Sequence, residues 1–495
     1  MRESGILLPI SSLPSQYGIG CFSKEAYEFV DQLALANQKY WQILPLGPTS
    51  YGDSPYQSFS TYAGNPFIDL NTLIEEGVLT KKECDLADFG SDSHFIDYGK
   101  LYKARYKLLR KAYERSNISQ NPEFRTFQEE NAWWLDDYAL FMAVKGFFQD
   151  ECWDKWPEDI KKRYGYALDY YREQLYFEIE FQKYMQFEFS IQWKKLKTYA
   201  NENGIRIIGD IPIYVAYDSA DTWAHPELFQ LDEENVPLAV AGCPPDGFAA
   251  DGQLWGNPLY RWDYHRRTGY TWWMQRLSYA FYLYDVVRID HFRGFDEYFS
   301  IPYGDTTARN GHWEKGPGIE LFHRMKEVLG ERDVIAEDLG YVTDSVRQMV
   351  FESGFPGMKV FEFAFDSRDT GCAGDYLPHN YPVNSVVYTG THDNATLIGW
   401  YQDIPKESRE MLRDYIHDYT TSDRSLHWSV ICRVMGSPAR ICMIPMQDYL
   451  GLNNTCRINT PSTLGTNWKW RLLDGEFTSD LQNKIKKLVR IYQRN

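Results

Sequence analysis

Eight short runs of β-forming, mostly apolar residues recur along the chain: ILLPI (6–10), YWQILPL (40–46), IRIIGDIPI (205–213), VVRID (286–290), VIAEDLG (334–340), GMKVFEF (357–363), SVVYTGTHD (385–393) and RICMIPMQD (440–448). Between most of them lie segments with apolar positions at helical spacing, such as SKEAYEFVDQLALAN (23–37), IELFHRMKEVLG (319–330) and TDSVRQMVFESG (343–354). Strand, helix, strand repeated eight times predicts an α/β fold whose parallel sheet closes into a (β/α)8 barrel. An open doubly wound sheet would not explain a count that stops at eight.

Two intervals are too long for simple crossovers. Residues 71–204 carry long Tyr-, Trp- and charge-rich helical patterns (100–116, 124–148, 168–201), and residues 214–285 are rich in Trp, Pro and Gly. We expect a single elaborated barrel over residues 1–495, with a helical insertion subdomain at 71–204 after the second strand and a loop-rich insertion at 214–285 after the third. No Pro/Ser-rich linker or internal repeat argues for independent domains. A last helical pattern, SDLQNKIKKLVRIYQRN (479–495), argues against a C-terminal β-domain.

Charge narrows the partners. Lys and Arg number 52 against 69 Asp and Glu, a net −17 without any long basic run, so nucleic acid and anionic membrane surfaces are poor fits. No apolar run approaches the roughly 20 residues of a membrane span, and the opening MRESGILLPISSLPSQYG breaks its apolar stretch with Pro9 and two serines, unlike a signal peptide. The eight cysteines include no CxxC pair, which suggests neither a zinc site nor a disulfide framework and suits a cytoplasmic protein. Aromatic residues make up 16% of the chain, and many stand in polar loop sequence such as SYGDSPYQSFSTYAGNPF (50–67) and DGQLWGNPLYRWDYH (251–265). Rings set among polar groups suit ligands that are apolar on one face and hydroxylated at the rim, as sugars are.

In a barrel of this kind chemistry gathers where strands end at their C-terminal side. Those ends carry Asp210, Arg288, Asp290, His291, Glu337, Asp338, His392, Asp393 and Asp448. Metal-assisted hydrolysis would want an HxH or HExxH spacing, which none of the ten histidines forms. Phosphate-handling barrels would want Gly-rich anion loops near the last strands, where this chain has Gln447 and Asp448. Glycosyl transfer needs two carboxyls across a scissile bond, one ionised and one protonated, and the cluster can supply them.

Long blocks of the chain carry more than this pattern. ILLPISSLPSQYGIG, WQILPLGPTSYGDSPYQSFSTYAGNP, GDIPIYVAYDSADTW, PPDGFAADGQLWGNPLY, VVRIDHFRGF, VIAEDLG, YTGTHDN and NTPSTLGTNWKWR resemble, in the same order, the amylomaltases or disproportionating enzymes, 4-α-glucanotransferases of the α-amylase clan. The resemblance spans nearly the whole chain. It implies Asp290 as nucleophile, Glu337 as general acid/base and Asp393 as the carboxylate that grips the distorted sugar. Arg288 would keep Asp290 ionised, and His291 and His392 would bond sugar hydroxyls. Tyr56, Ser58, Asn65, Asp210, Tyr214, Gln253, Trp255, Asn257 and Asn459 fall in the matching blocks as substrate-binding positions, while Asp338, facing away from Glu337, is expected to be structural. Gly247 in PPDGF replaces the family's usual Tyr, which removes one aromatic contact from that loop.

The resemblance thus implies a retaining 4-α-glucanotransferase that takes maltooligosaccharides or α-1,4-glucans as donor and glucose or maltooligosaccharides as acceptor, with no cofactor and no metal. An α-1,4-glucan hydrolase would use the same carboxylates. A glycan-binding protein without activity would have no use for the intact acidic set.

Overall fold

The computed structural model describes residues 2–65, 67–245, 250–340, 342–365 and 373–495. All eight expected runs contribute strands to a closed parallel barrel. Numbered with the other strands in chain order, they are β1 (Glu3–Leu7), β2 (Tyr40–Gln42), β3 (Arg206–Ile211), β6 (Val286–Ile289), β9 (Val334–Ala336), β10 (Gly357–Val360), β11 (Ser385–Tyr388) and β12 (Ile441–Pro445). Each pairs with the next barrel strand in the chain, and β12 closes the ring on β1 with Glu3 opposite Ile441 and Leu7 opposite Pro445. Helices cover the outside, so strands such as β6, β11 and β12 are buried at every position. Burial on both faces is why they read as continuous apolar runs rather than as alternation.

The strands are shorter than their sequence patterns. Pro9, Pro45 and Pro212 follow β1, β2 and β3, and Pro445 is the last residue of β12. Proline has no N–H for the ladder, so pairing stops there and the chain turns into loops. One consequence corrects an expectation: Asp448 lies not at a strand end but in the short helix Met446–Leu450 that follows.

Residues 71–204 hold the helices Tyr98–Arg115, Pro122–Phe147, Gly165–Gln174 and Tyr176–Glu202 among shorter turns. The 214–285 stretch, read as loop-rich, contains β4 (Ala239–Cys243) and β5 (Gln253–Pro258). These join β7 (Glu297–Pro302) and β8 (His312–Lys315) in a second, antiparallel sheet of order β5-β4-β7-β8. Its small core is Val240, Phe299, Ile301 and Ala308. The polar, Gly-rich sequence DGQLWGNP hid β5, because half its positions face the cleft. Alternation puts Gln253, Trp255 and Asn257 on one side of that strand.

Near the chain terminus, Arg494 is wholly buried against the bottom of the barrel. Its guanidinium donates to the carbonyls of Met435 (2.7 Å), Ser437 (2.9 Å), Ala439 (3.0 Å) and Glu3 (3.2 Å), tying β1 to the turn that leads into β12. Replacing Arg494 by Ala takes a donor from each of these acceptors, of which Ser437 keeps Arg2 at 2.8 Å, so we expect a loss of about 2–5 kcal/mol in stability, with Lys restoring only part because it cannot fork. Denaturant unfolding measures this. A loss under about 0.5 kcal/mol, the level of an ordinary surface change, would show that the lock is not needed.

Candidate active site

The register between strands assembles the centre. Asp210 on β3 lies directly opposite Arg288 on β6, and Ile289 opposite Ala336 on β9. The residues that follow the second pair, Asp290 and Glu337, therefore stand side by side on neighbouring strand ends, about 4.8 Å apart along the hydrogen-bonding direction. The ladder continues through them, with the Glu337 amide donating to the Ile289 carbonyl at 3.1 Å and the Phe292 amide to the Glu337 carbonyl at 3.0 Å.

Arg288 is 3% exposed and holds both acids on its side of the barrel: Nη1 lies 2.5 Å from Asp210 Oδ2 and Nη2 3.0 Å from Asp290 Oδ1. Nε donates to the Met358 sulfur at 3.4 Å. Asp210 is sealed, whereas the Asp290 side chain keeps 28% of its surface open to the cleft.

His291 follows Asp290 with φ 50° and ψ 47°, in the left-handed region. Non-glycine residues rarely sit there, and such positions collect where function requires them. The turn aims the His291 amide at Glu337 Oε2 (2.7 Å), while the Leu339 amide reaches Oε1 (3.0 Å). Asp338 turns away and accepts the Met358 amide at 2.7 Å. The His291 ring packs edge-on against Trp255 at 4.8 Å, and its Nε2 has no protein partner among the described residues. Burial, aided by Arg293, pushes its pKa down to about 3, so the imidazole is neutral.

Burial raises both central carboxyls. Glu337 is pushed up to about 7 by burial and the neighbouring Asp290 charge, which together outweigh Arg288 and the two amide donors. Asp290 rises to about 6 through burial, with Arg288 pulling it back. Of the pair, the partly open Asp290 with its direct guanidinium contact ionises first, and that charge then holds the proton on Glu337.

Asp393 arrives from the loop after β11. Asn459 Nδ2 donates to its Oδ1 at 2.6 Å, and Arg457 binds its backbone carbonyl at 2.5 Å. Tyr56 gives its one proton to Asp210 (2.7 Å), which leaves His392 Nε2 as donor toward Tyr56 Oη (2.8 Å) and Asp393 Oδ2 (3.3 Å). Lost hydration within the cleft raises the Asp393 pKa even though 42% of its side chain is open, but the charge and hydrogen bond of His392, with Asn459, hold it well below the usual carboxylate range. Burial likewise disfavours protonated His392, but Asp393 prevails and raises its pKa. The Tyr56 and His392 rings stack at 5.3 Å.

The remaining positions divide by their partners. Tyr214 is buried and stacks on Tyr260. Gln253 accepts the Trp255 indole N–H at 3.1 Å. Asn257 donates to the Val215 carbonyl and accepts from Gln57, and Ser58 bonds the Ser60 carbonyl, so both tie loops together. Asn65 lines a small cavity of about 40 Å³ shared with Tyr98, Tyr102 and Trp468. Asp448 binds the Thr389 hydroxyl and the Leu397 amide, which makes it a brace. Gly247 lies outside the described residues. Two residues that sequence reasoning did not single out are Arg457 and Trp468, the latter 5.9 Å from Tyr56 ring to ring. Both stand in or beside the RINTP to NWKWR blocks, but only folding brings that segment to Asp393. Among the described residues no group of three or more His, Cys, Asp or Glu is arranged to hold a metal ion, and no helix is long and apolar enough to cross a membrane.

The profile of a family described as 4-alpha-glucanotransferase matches residues 8–476. The chain belongs to that family. It is 49% identical to the 4-alpha-glucanotransferase of Clostridium butyricum over 98% of this chain and 99% of the relative, and 45% identical to that of Thermus thermophilus over 100% and 99%. The amylomaltase of Streptococcus agalactiae, solved in complex with acarbose, superposes with a TM-score of 0.96 at 40% identity and full coverage of both chains. A second amylomaltase, from Corynebacterium glutamicum, shares the fold at a TM-score of 0.75 and 19% identity, covering all of this chain and 75% of that one. As a 4-α-glucanotransferase, the protein is an enzyme on a (β/α)8 barrel.

The forked contacts of Arg288 make a specific expectation for this enzyme. Lysine is a point charge that cannot serve Asp210 and Asp290 together. Arg288→Lys should fold yet lose about 100-fold or more in kcat/KM, equivalent to roughly 2.7 kcal/mol of barrier. Steady-state rates on maltotriose test it, and a variant within threefold of the parent would sink the assignment.

Proposed function

We propose that this 4-α-glucanotransferase works by a retaining, double-displacement mechanism with Asp290 as nucleophile and Glu337 as acid and base. The observation that carries the reading is the side-by-side register of the two residues. Strands about 4.8 Å apart suit a pair of carboxyls near the roughly 5–5.5 Å that a direct nucleophile needs better than the wider gap that admits a water between acid and base. The opposed environments of the pair support the division of roles.

In the first half-reaction, Asp290 attacks the anomeric carbon of an α-1,4-glucan or maltooligosaccharide donor while Glu337 gives its proton to the departing glycosidic oxygen. The C–O bond to the leaving chain breaks as the bond to Asp290 forms. Glu337, now ionised, takes the proton from the 4-hydroxyl of glucose or another maltooligosaccharide, which attacks the same carbon and releases Asp290. Asp393, kept ionised by His392 and Asn459, suits a grip on hydroxyls of the distorted ring. The neutral His291, with its unpartnered Nε2, and Trp255 on β5 suit further contacts at the rim of the cleft. That the Streptococcus agalactiae relative was solved in complex with acarbose supports saccharide binding by this chain as well.

Two outcomes follow. Glu337→Gln lacks the acid, but a donor with an activated leaving group needs none, so mass spectrometry should find a glycosyl adduct on the peptide containing VRIDHFRGF. An adduct on the VIAEDLG peptide would reverse the roles. Activity also requires ionised Asp290 together with protonated Glu337. Turnover should therefore rise with pH through the lower step near 6 and fall through the upper step near 7. For glycosylation of Glu337→Gln by the activated donor, the alkaline limb should vanish while the acid limb stays. Persistence of the alkaline limb in that variant would assign it to another group.

A further inference from the structure

On the outer face of the barrel, away from the strand ends, an open cleft of about 450 Å³ lies between the helices Thr271–Leu283, Glu320–Leu329 and Pro122–Phe147. Its volume is within the range of about 300–1,000 Å³ of small-ligand sites. One wall is a helix face: Thr271, Gln275, Ser278 and Tyr282, spaced four, three and four residues apart, are all exposed. This stripe is polar and uncharged, unlike the charged outer faces that helices on such an acidic chain usually present.

Two large rings stay open beside it, Trp133 at 46% and Tyr282 at 55% exposure. Trp133 is not a loose surface residue. Its indole is held edge-on by Tyr62 at 4.7 Å and by Tyr279 at 6.4 Å, and Tyr279 in turn lies 5.9 Å from Tyr282. The three rings make a run whose two ends are exposed and whose middle is packed. A braced ring pays little ordering entropy when a ligand stacks on it. The one charged residue in the lining, Arg324, is paired with Glu327 at 3.1 Å. With that charge neutralised, the cleft favours a neutral ligand that offers apolar faces to rings and hydroxyls to Gln275, Ser278 and Thr271.

We propose that this cleft is a non-catalytic docking site for an α-glucan chain, with Trp133 and Tyr282 stacking on sugar units of one strand. The proposal rests on the glucan activity of the family and adds a place where a long substrate is held while another part of it, or another chain, is processed. Its effect is one of local concentration and applies only to chains long enough to occupy it. Tyr62 links the cleft to the 50–65 loop that also carries Tyr56, so the same segment braces both sites.

Native electrophoresis through gels containing soluble amylose tests this without need of turnover. The parent protein should be retarded relative to a glucan-free gel, and Tyr282→Ala and Ser278→Arg should be retarded less. Both substitutions fall on the exposed helix face and leave the packing of Trp133 intact. Trp133→Ala should behave in the same way, and its thermal midpoint reports whether loss of the contacts with Tyr62 and Tyr279 affects folding. KM for amylose should rise about 3- to 10-fold in each variant, as expected for one lost ring contact, while kcat and KM for maltotriose stay within twofold. Equal retardation and equal amylose KM for the parent and the two helix-face variants would overturn the proposal. So would light scattering that finds a dimeric parent and monomeric variants, because the face would then be a contact between copies. Retardation lost in the variants carries the docking site even in a preparation that does not turn over maltotriose, so failure of the site and failure of the activity are told apart.

Discussion

Burying the Arg288 guanidinium to 3% exposure is costly unless opposite charge offsets the lost hydration, and here carboxylates face it. For Arg288 they come from two directions. Asp210 lies across the sheet because β3 and β6 pair in that register, and Asp290 lies two residues on because a strand returns to the same face every second position. A slip of one residue between β3 and β6 would take Asp210 off the guanidinium and leave it with Asp290 alone, so this ion network favours the observed register of the sheet at the same time as it holds Asp290. The same register, carried one strand further, sets Glu337 beside Asp290.

The two carboxyls then differ through their surroundings. Asp290 touches a cation and remains partly open to water, while Glu337 is approached by a carboxylate and by two backbone amides. One of those amides belongs to His291, whose left-handed backbone is the local strain that makes the contact. The strand end is thus unusual at one residue for a reason that appears only when the neighbouring strand is considered. Around it, a second ion pair, a buried His392 with the more open Asp393, keeps a further acid ionised with help from Asn459.

Much of the aromatic content serves this centre indirectly. Tyr56 is engaged by Asp210 and His392, Tyr214 by Tyr260, and Tyr62 by Trp133, so the polar aromatic loops are stiffened by their own rings. A stiff cleft wall limits how loosely water can enter and how an acceptor sits, which is the physical requirement for transfer over hydrolysis. Trp255 and Gln253 reach the same cleft from β5, where strand alternation rather than loop geometry aims them.

The amino-acid pattern alone determined the eight barrel strands and the acids and Arg288 near their ends. Parallel strands buried on both sides leave long apolar runs, and a strand end in such a barrel opens onto one face. Asp448 is the exception, since Pro445 ends the ladder three residues before it and the chain turns into a helix. Periodicity could not show β4 and β5, because β5 is half-exposed and pairs only with β4, and β4 pairs in turn with β7 on the far side of β6. Nor could it separate side chains that brace the site from those that face it. Tyr56 and His392 meet across 336 residues, and Asn257 spends both ends of its amide on Val215 and Gln57. A side chain's hydrogen-bond partners are decided by which loops the closed barrel brings together, and that information is not local in the chain. The outer cleft at Trp133 and Tyr282 is of the same kind, made by three helices that only the completed fold sets side by side.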